Sequence, residues 1–220
     1  MRDARPPELP DRLCAVAVRL LPVAGASVSL HSGGVPVRFG VSGERAARLA
    51  DIQATLGEGP CLDAVRDGAP VLAPDLSGRD AHRWPVLALA ATAAGARAMY
   101  AIPLGGGGTP LGTLDLHRTA PGRLTARNLR DARLVAGAVA LAVAALPHEE
   151  DADGRDGSWL SGLTAEHDRI HQAVGMTMAQ LGTGAGEALA RLRGRAFAQG
   201  RTVLELARDV VAHRERLDRG

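Results

Sequence analysis

The stretch "TLGEGPCLDAVRDGAPVLAPDL", residues 55–76, holds residue types that can do chemistry. Gly57 and Gly59 precede Cys61 at what reads as a helix start. Backbone N–H groups at such a start can cradle a phosphate, and they favour a thiolate close by. A cysteine nucleophile also needs a histidine base held by a third group. His82 and His117 are available, and nothing local selects either. The spacing fits neither GxGxxG nor GxxxxGK[ST], and the chain has no lysine at all. A tight turn followed by a buried small residue accounts for the same letters, since free cysteine is among the most buried types. Cys14 and Cys61 are the only cysteines and lack metal-ligand spacing. With no paired carboxylates, metal cluster or complete nucleophile–base set, the expectation is a protein with no catalytic residues, no metal and no cofactor. A reaction dependent on Cys61 stays open as an alternative.

A second stretch, "DRIHQAVGMTMAQLG" at residues 168–182, poses a different question. At helical spacing Leu163, Ile170, Val174, Thr177 and Leu181 line one face, with Ala173 and Met178 beside them. A surface helix should be charged on the opposite side. Here that side carries Gln172, Gly175, Met176 and Ala179. A glycine inside a helix costs roughly 1 kcal/mol against alanine, so the face needs a purpose. It either packs on another helix or lets a nucleic-acid backbone come close, with Gln172 offering a donor and an acceptor to a base edge. All of the 26 basic residues are arginine, whose planar fork suits phosphate. Arg193, Arg201 and Arg208 are the candidates to hold flanking phosphates. A net charge of +2 is too small to decide for nucleic acid by itself.

The elements that must position these residues follow from periodicity and breakers. "PELPDRLCAVAVRLLPVAG" reads as a short amphipathic helix, and "ASVSLH" and "VPVRFGV" as a hairpin around "SGG". "ERAARLADIQATLG" returns to helical spacing, "CLDAV" gives a helical turn or two, and "APVLAPDL" a short strand. "HRWPVLALAATAAG" is a helix with Pro85 near its start. "ARAMYAIPL" and "TPLGTLDLHR" are two more strands, and "LTARNLRDARLVAGAVALAVAAL" a long helix capped by Thr125. Five strands with flanking helices predict an α+β domain built on a mainly antiparallel sheet. Acidic "PHEEDADGRDGS" reads as a linker, set at 147–159. Three helices follow, the last opened by a capping box of Thr202 and Glu205. Its core face is Val203, Leu206, Ala207, Val210 and Leu217. A bundle this small is marginal alone and should pack on something.

"TLGEGPCLDAVRDGAPVLAPDL", then "IPL", "GTLDLHR" and "LTARNL", in that order, resembles a GAF domain over about residues 9–146. The resemblance implies a PAS-like sensor fold with a pocket for an unknown small-molecule ligand, for which Cys61, Trp84, Tyr100 and Asp115 are the candidates. "RIHQAVGMTMAQLG" followed by "EALARLRGRAFAQGRTVLELARDVV" resembles the ANTAR domain over residues 160–217. The likeness rests on Ala173, Gly175, Met176 and Met178, on Glu187 to Arg193, and on Ala196 and Ala207. It implies RNA binding in transcription antitermination, with Gln172, Gly175, Met176, Ala179, Arg193, Arg201 and Arg208 toward stem-loop RNA in nascent transcripts. Many members carry a basic residue where this chain has Val174, which the helix projection puts on the core side. Phe197, the lone aromatic of the last two helices, is expected in the core. The competing reading is a helix-turn-helix DNA-binding factor, with the third helix in a major groove; Glu205, Asp209 and Glu215 interrupt its arginine series.

The helix from Thr125 to Leu146 is apolar nearly all round, which predicts burial on more than one side and a homodimer. No apolar run reaches membrane-span length, and the first residues lack the apolar stretch of a signal peptide. The expectation is a cytoplasmic regulator without a membrane partner.

Overall fold

The computed structural model describes residues 9–32, 34–105, 108–145 and 158–217. The expected linker, apart from its last two positions, lies outside the described residues. So do the side chains of 158–165, Leu163 among them.

The chain runs α1 (Leu9–Leu20), β1 (Gly25–Ser32), β2 (Val35–Val41), α2 (Glu44–Leu56), α3 (Pro60–Asp67), β3 (Val71–Ala73), α4 (Pro85–Ala93), β4 (Ala98–Leu104), β5 (Gly112–Arg118) and α5 (Ala126–Ala144). Helices α6 (Ser158–Leu181), α7 (Ala185–Ala198) and α8 (Val203–Val211) close it. The five strands form one sheet in the order β2-β1-β5-β4-β3, and every neighbouring pair is antiparallel.

Strand alternation divides this sheet into two unlike faces. Val28, Tyr100, Ile102, Leu114 and Leu116 point to one side and pack with α1 and α5. Helix α5 lies close there because it buries only Ala132, Ala136 and Val139. Its N-cap is Thr125, whose hydroxyl accepts from the Asn128 amide at 3.1 Å. On the other side α2, α3 and α4 cover the sheet. Leu49, Cys61, Ala64, Trp84, Leu87 and Met99 make an apolar core there. Pro85 sits in the first turn of α4, where a missing N–H costs nothing.

The last three helices pack as a bundle around Ile170, Ala173, Leu192, Ala196, Leu206 and Val210, and this core also takes in Val35 of β2. The capping box is present: the Thr202 hydroxyl accepts from Glu205 N–H, and the Glu205 carboxylate accepts from Thr202 N–H. Val174 is buried, as its projection required.

Among the described residues α5 is covered on one side, leaving Leu134 and Leu141 each 73% exposed. One sequence expectation changes. Phe197 is 55% exposed: Ala196, the residue before it, takes the core position of α7. Helical repeat made both outcomes compatible with the letters, and the neighbouring element decided.

Leu192 is fully buried at the centre of the bundle. Leu192→Ala should cost about 3 kcal/mol through lost transfer energy and an unfilled cavity. Urea denaturation followed by far-ultraviolet circular dichroism measures it.

Candidate nucleic-acid interface and sensor pocket

Helix α6 meets α7 and α8 through Ile170, Ala173, Val174, Thr177 and Leu181, all buried. This arrangement turns Gln172, Gly175 and Ala179 to solvent, with Met176 half-buried at the edge. A Cβ built on Gly175 meets no atom within 4 Å. Met176 leans on the bundle core, while Gln172, Gly175 and Ala179 stand open among the described residues. One residue missed at the sequence level belongs with them: Arg169, a turn before Gln172, is exposed and has no ion-pair partner among the described residues. Its place in the i, i+3 series was the available signal.

The three arginines proposed for phosphate are all engaged within the chain. Arg208 pairs with Glu166 of α6 at 2.9 Å. Arg201 is bonded to Asp209 and donates to the Glu205 carbonyl at 3.0 Å. Arg193 reaches out of the bundle. Its Nε donates to the Ala54 carbonyl and its Nη2 to the Gly34 carbonyl, each at 3.1 Å. Ala54 is in the last turn of α2, where carbonyls have no helical partner and the dipole is negative, so a guanidinium fits. Burial lowers the Arg193 pKa from its ordinary value. Gly57 ends α2 at φ +68°, and a Cβ there would lie 2.6 Å from Arg193 Nη1. A second bond crosses the same boundary: Val203 N–H donates to Thr55 Oγ1 at 3.1 Å.

The turn from Gly57 to Cys61 is thus a joint rather than a phosphate cradle. Gly59, at φ +133°, is packed so that a Cβ would meet Gln53 Oε1 at 2.6 Å, and that oxygen accepts the Cys61 N–H at 3.0 Å. Glu58 accepts from Leu87 N–H at 3.0 Å, tying the turn to α4. Cys61 is wholly buried; burial first, then the charge of Asp115, pushes its thiol well above its ordinary value. A protonated thiol is a poor nucleophile.

The four pocket candidates do not converge. Tyr100 pairs with Leu116 on β5 and packs on the α1–α5 side, its hydroxyl bonded to the Gly122 carbonyl. It is corrected out of the pocket, because residues one apart on a strand face opposite ways. Trp84 caps α4, with Nε1 donating to Asp63 at 3.2 Å and Arg83 lying 4.1 Å over its ring. On the α2–α3 side β1 and β5 present a buried polar row of Ser27, Ser29, Thr113, Asp115 and His117. Asp115 Oδ2 accepts from Thr113 at 3.1 Å and from Ser29 at 3.4 Å, while Oδ1 has no partner. Burial pushes the Asp115 pKa up to about 7. His31 and His117 are drawn down to about 4, by burial in both and by Arg45 as well for His117; the Nε2 of each is unpartnered.

A carboxyl that ionises near pH 7 when folded and near 3.8 when unfolded holds its proton longer in the folded state. Its contribution to stability is fully present below pH 4 and is lost as pH rises to 7. Asp115→Asn should therefore gain on the parent protein between pH 4 and pH 7, and urea midpoints at the two values measure that gain.

Comparison with known proteins adds the following. The GAF domain family model matches residues 3–144, and the ANTAR domain model matches residues 161–211. No curated protein matches the chain. Among solved structures, the GAF domain region of a Geobacter sulfurreducens PCA protein is 19% identical, with 62% of this chain and 91% of that chain covered and a TM-score of 0.50. A domain of a two-component sensor histidine kinase protein of Sinorhizobium meliloti 1021 is 15% identical, covering 61% of this chain and 88% of that one, with a TM-score of 0.49. The type II free methionine-R-sulfoxide reductase of Thermoplasma acidophilum is 16% identical, covering 60% and 88%, at 0.47. Among the described residues no helix is long and apolar enough to cross a membrane, and no cluster of His, Cys, Asp and Glu is set to hold a metal.

Proposed function

The chain belongs to the GAF domain family and carries an ANTAR domain behind it, and from that premise we propose that it is a non-catalytic cytoplasmic regulator that binds stem-loop RNA. Residues 9–146 are the sensor, 160–217 the output, and 147–159 join them. RNA sequence is read mainly in unpaired loops, whose backbones come close to the protein. The observation that carries the reading is the open strip of Arg169, Gln172, Gly175, Met176 and Ala179 along α6, inside the ANTAR-matched segment. Holding a hairpin in a nascent transcript against a competing terminator hairpin is the antitermination step. The sensor ligand is a small molecule taken beneath α3, against the buried polar row of β1 and β5.

The test is a gel shift with hairpin RNA against duplex DNA of matched length. Gly175→Glu should abolish hairpin binding while the protein stays folded, since the new side chain enters open space. Arg169→Ala should weaken binding to all hairpins and reduce the salt slope by about 1, as for one lost phosphate contact. Preference for the duplex would move the assignment to a DNA-binding factor.

The active form is a homodimer through α5. A groove of about 940 Å³ runs along that helix past Leu111, Leu134, Gly137 and Leu141. A second copy covers the two leucines most exposed there. Leu141→Glu should convert the dimer to a monomer, read by sedimentation across the micromolar range.

A further inference from the structure

We propose that the surface of the bundle around Arg193 has two alternative partners, the C-terminus of α2 in the sensor and the phosphate backbone of RNA, so that docking on the sensor and high-affinity RNA binding exclude one another. This inference rests on the RNA reading above and adds its regulation.

Arg193 has two edges in use. Nε is on the Ala54 carbonyl, Nη2 on the Gly34 carbonyl, and Nη1 lies against Gly57. With Nε and Nη2 on sensor carbonyls and Nη1 turned against Gly57, the fork faces the sensor, and a bidentate grip on a phosphate through its Nε–Nη2 edge requires it to leave. Backbone carbonyls are neutral acceptors; a phosphate is charged and bonds the same fork more strongly. The exchange is therefore favourable once the surface opens, and the sensor sets how often it opens.

The rest of the contact holds the same state. Val35 of β2 is 1% exposed and belongs to the bundle core rather than to the sensor's own. Val203 is the first residue of α8, so its amide has no intrahelical partner and finds Thr55 Oγ1 instead. Opening strands that amide in water and exposes Val35. The latch also stands next to the sensing side: Ala54 and Thr55 lead through Gly57 and Gly59 into Cys61, on the helix that covers Asp115. A ligand that displaces α3 moves the turn on which Arg193 rests.

Two sensor-side variants separate docking from RNA contact while leaving every residue of α6, α7 and α8 unchanged. Gly57→Asn keeps a residue type that tolerates the left-handed backbone, and its side chain occupies the space of the Arg193 fork. Val35→Glu places a charge in the shared core. Hydrogen exchange at the Val203 amide reports docking, and gel shift with hairpin RNA reports affinity, both on the full chain. The inference expects loss of Val203 protection and an affinity gain of about tenfold or more in both variants, as for a protein whose competent form is a minor population. Adding Arg193→Ala to Gly57→Asn should cancel most of that gain, and hairpin RNA added to the parent protein should deprotect Val203. Unprotected Val203 with unchanged affinity overturns the inference and leaves RNA binding standing. RNA binding with Val203 still protected does the same. Failure of every form to bind hairpin RNA overturns both readings together.

Discussion

The ends of two helices meet at the boundary between the sensor and the bundle, and each supplies what the other lacks. An α-helix leaves its last carbonyls and its first amides without partners, and burying such groups unpaired is costly. The end of α2 and the start of α8 are both drawn into this boundary. Arg193 covers the Ala54 carbonyl, and Thr55 covers the Val203 amide. Gly57 is glycine for two reasons that coincide: it ends α2 in the left-handed region, and it leaves room for the arginine. The packing of Val35 into the bundle core completes the contact. A three-helix unit too small to be stable alone thereby gains an apolar and hydrogen-bonded floor.

The sheet feeds this boundary from the other side. One face is filled with Val28, Ile102, Leu114 and Leu116 and serves as packing for α1 and α5. The other carries hydroxyls, imidazoles and a carboxyl under α2 and α3, some of them unpartnered. Buried polar groups left without partners mark a place where a ligand's donors have something to gain. Helix α3 covers that row and is joined by the three residues 57–59 to the end of α2 that bears the latch, so the sensing face and the output are separated by one short piece of backbone.

The α6 strip is the counterpart of the latch. Among its described side chains Ile170, Ala173, Val174 and Leu181 are spent on the bundle core, and the strip of Gln172, Gly175 and Ala179 is left small or neutral and open, with Arg169 at one end. Among the arginines of the bundle, those tied to Glu166, to Asp209 and to the Ala54 and Gly34 carbonyls serve architecture in this arrangement. An arginine with no ion-pair partner among the described residues and a constrained one have different parts to play, although both are the same letter.

Much of this was legible in the letters alone. Alternation in "ASVSLH" and "GTLDLHR" announced strands with two unlike faces, the capping box at Thr202 fixed the start of α8, and the order of motifs carried the resemblance to both domain families. These are local signals, set within a few residues by backbone geometry. Four matters were not local. Tyr100 was grouped with Asp115 although strand parity put it on the opposite face once the register was known. Phe197 was exposed because the neighbouring elements cover the other side of its helix. The small face of α6 could be described from spacing, but that Gln172, Gly175 and Ala179 stay exposed while Met176 leans on the core is a fact of packing. Arg193 read as a phosphate ligand, and only the fold brought it against carbonyls 139 and 159 positions away. Periodicity says which face a residue shares; which neighbour meets that face is decided by contacts between segments far apart in the chain, and those exist only in the tertiary structure.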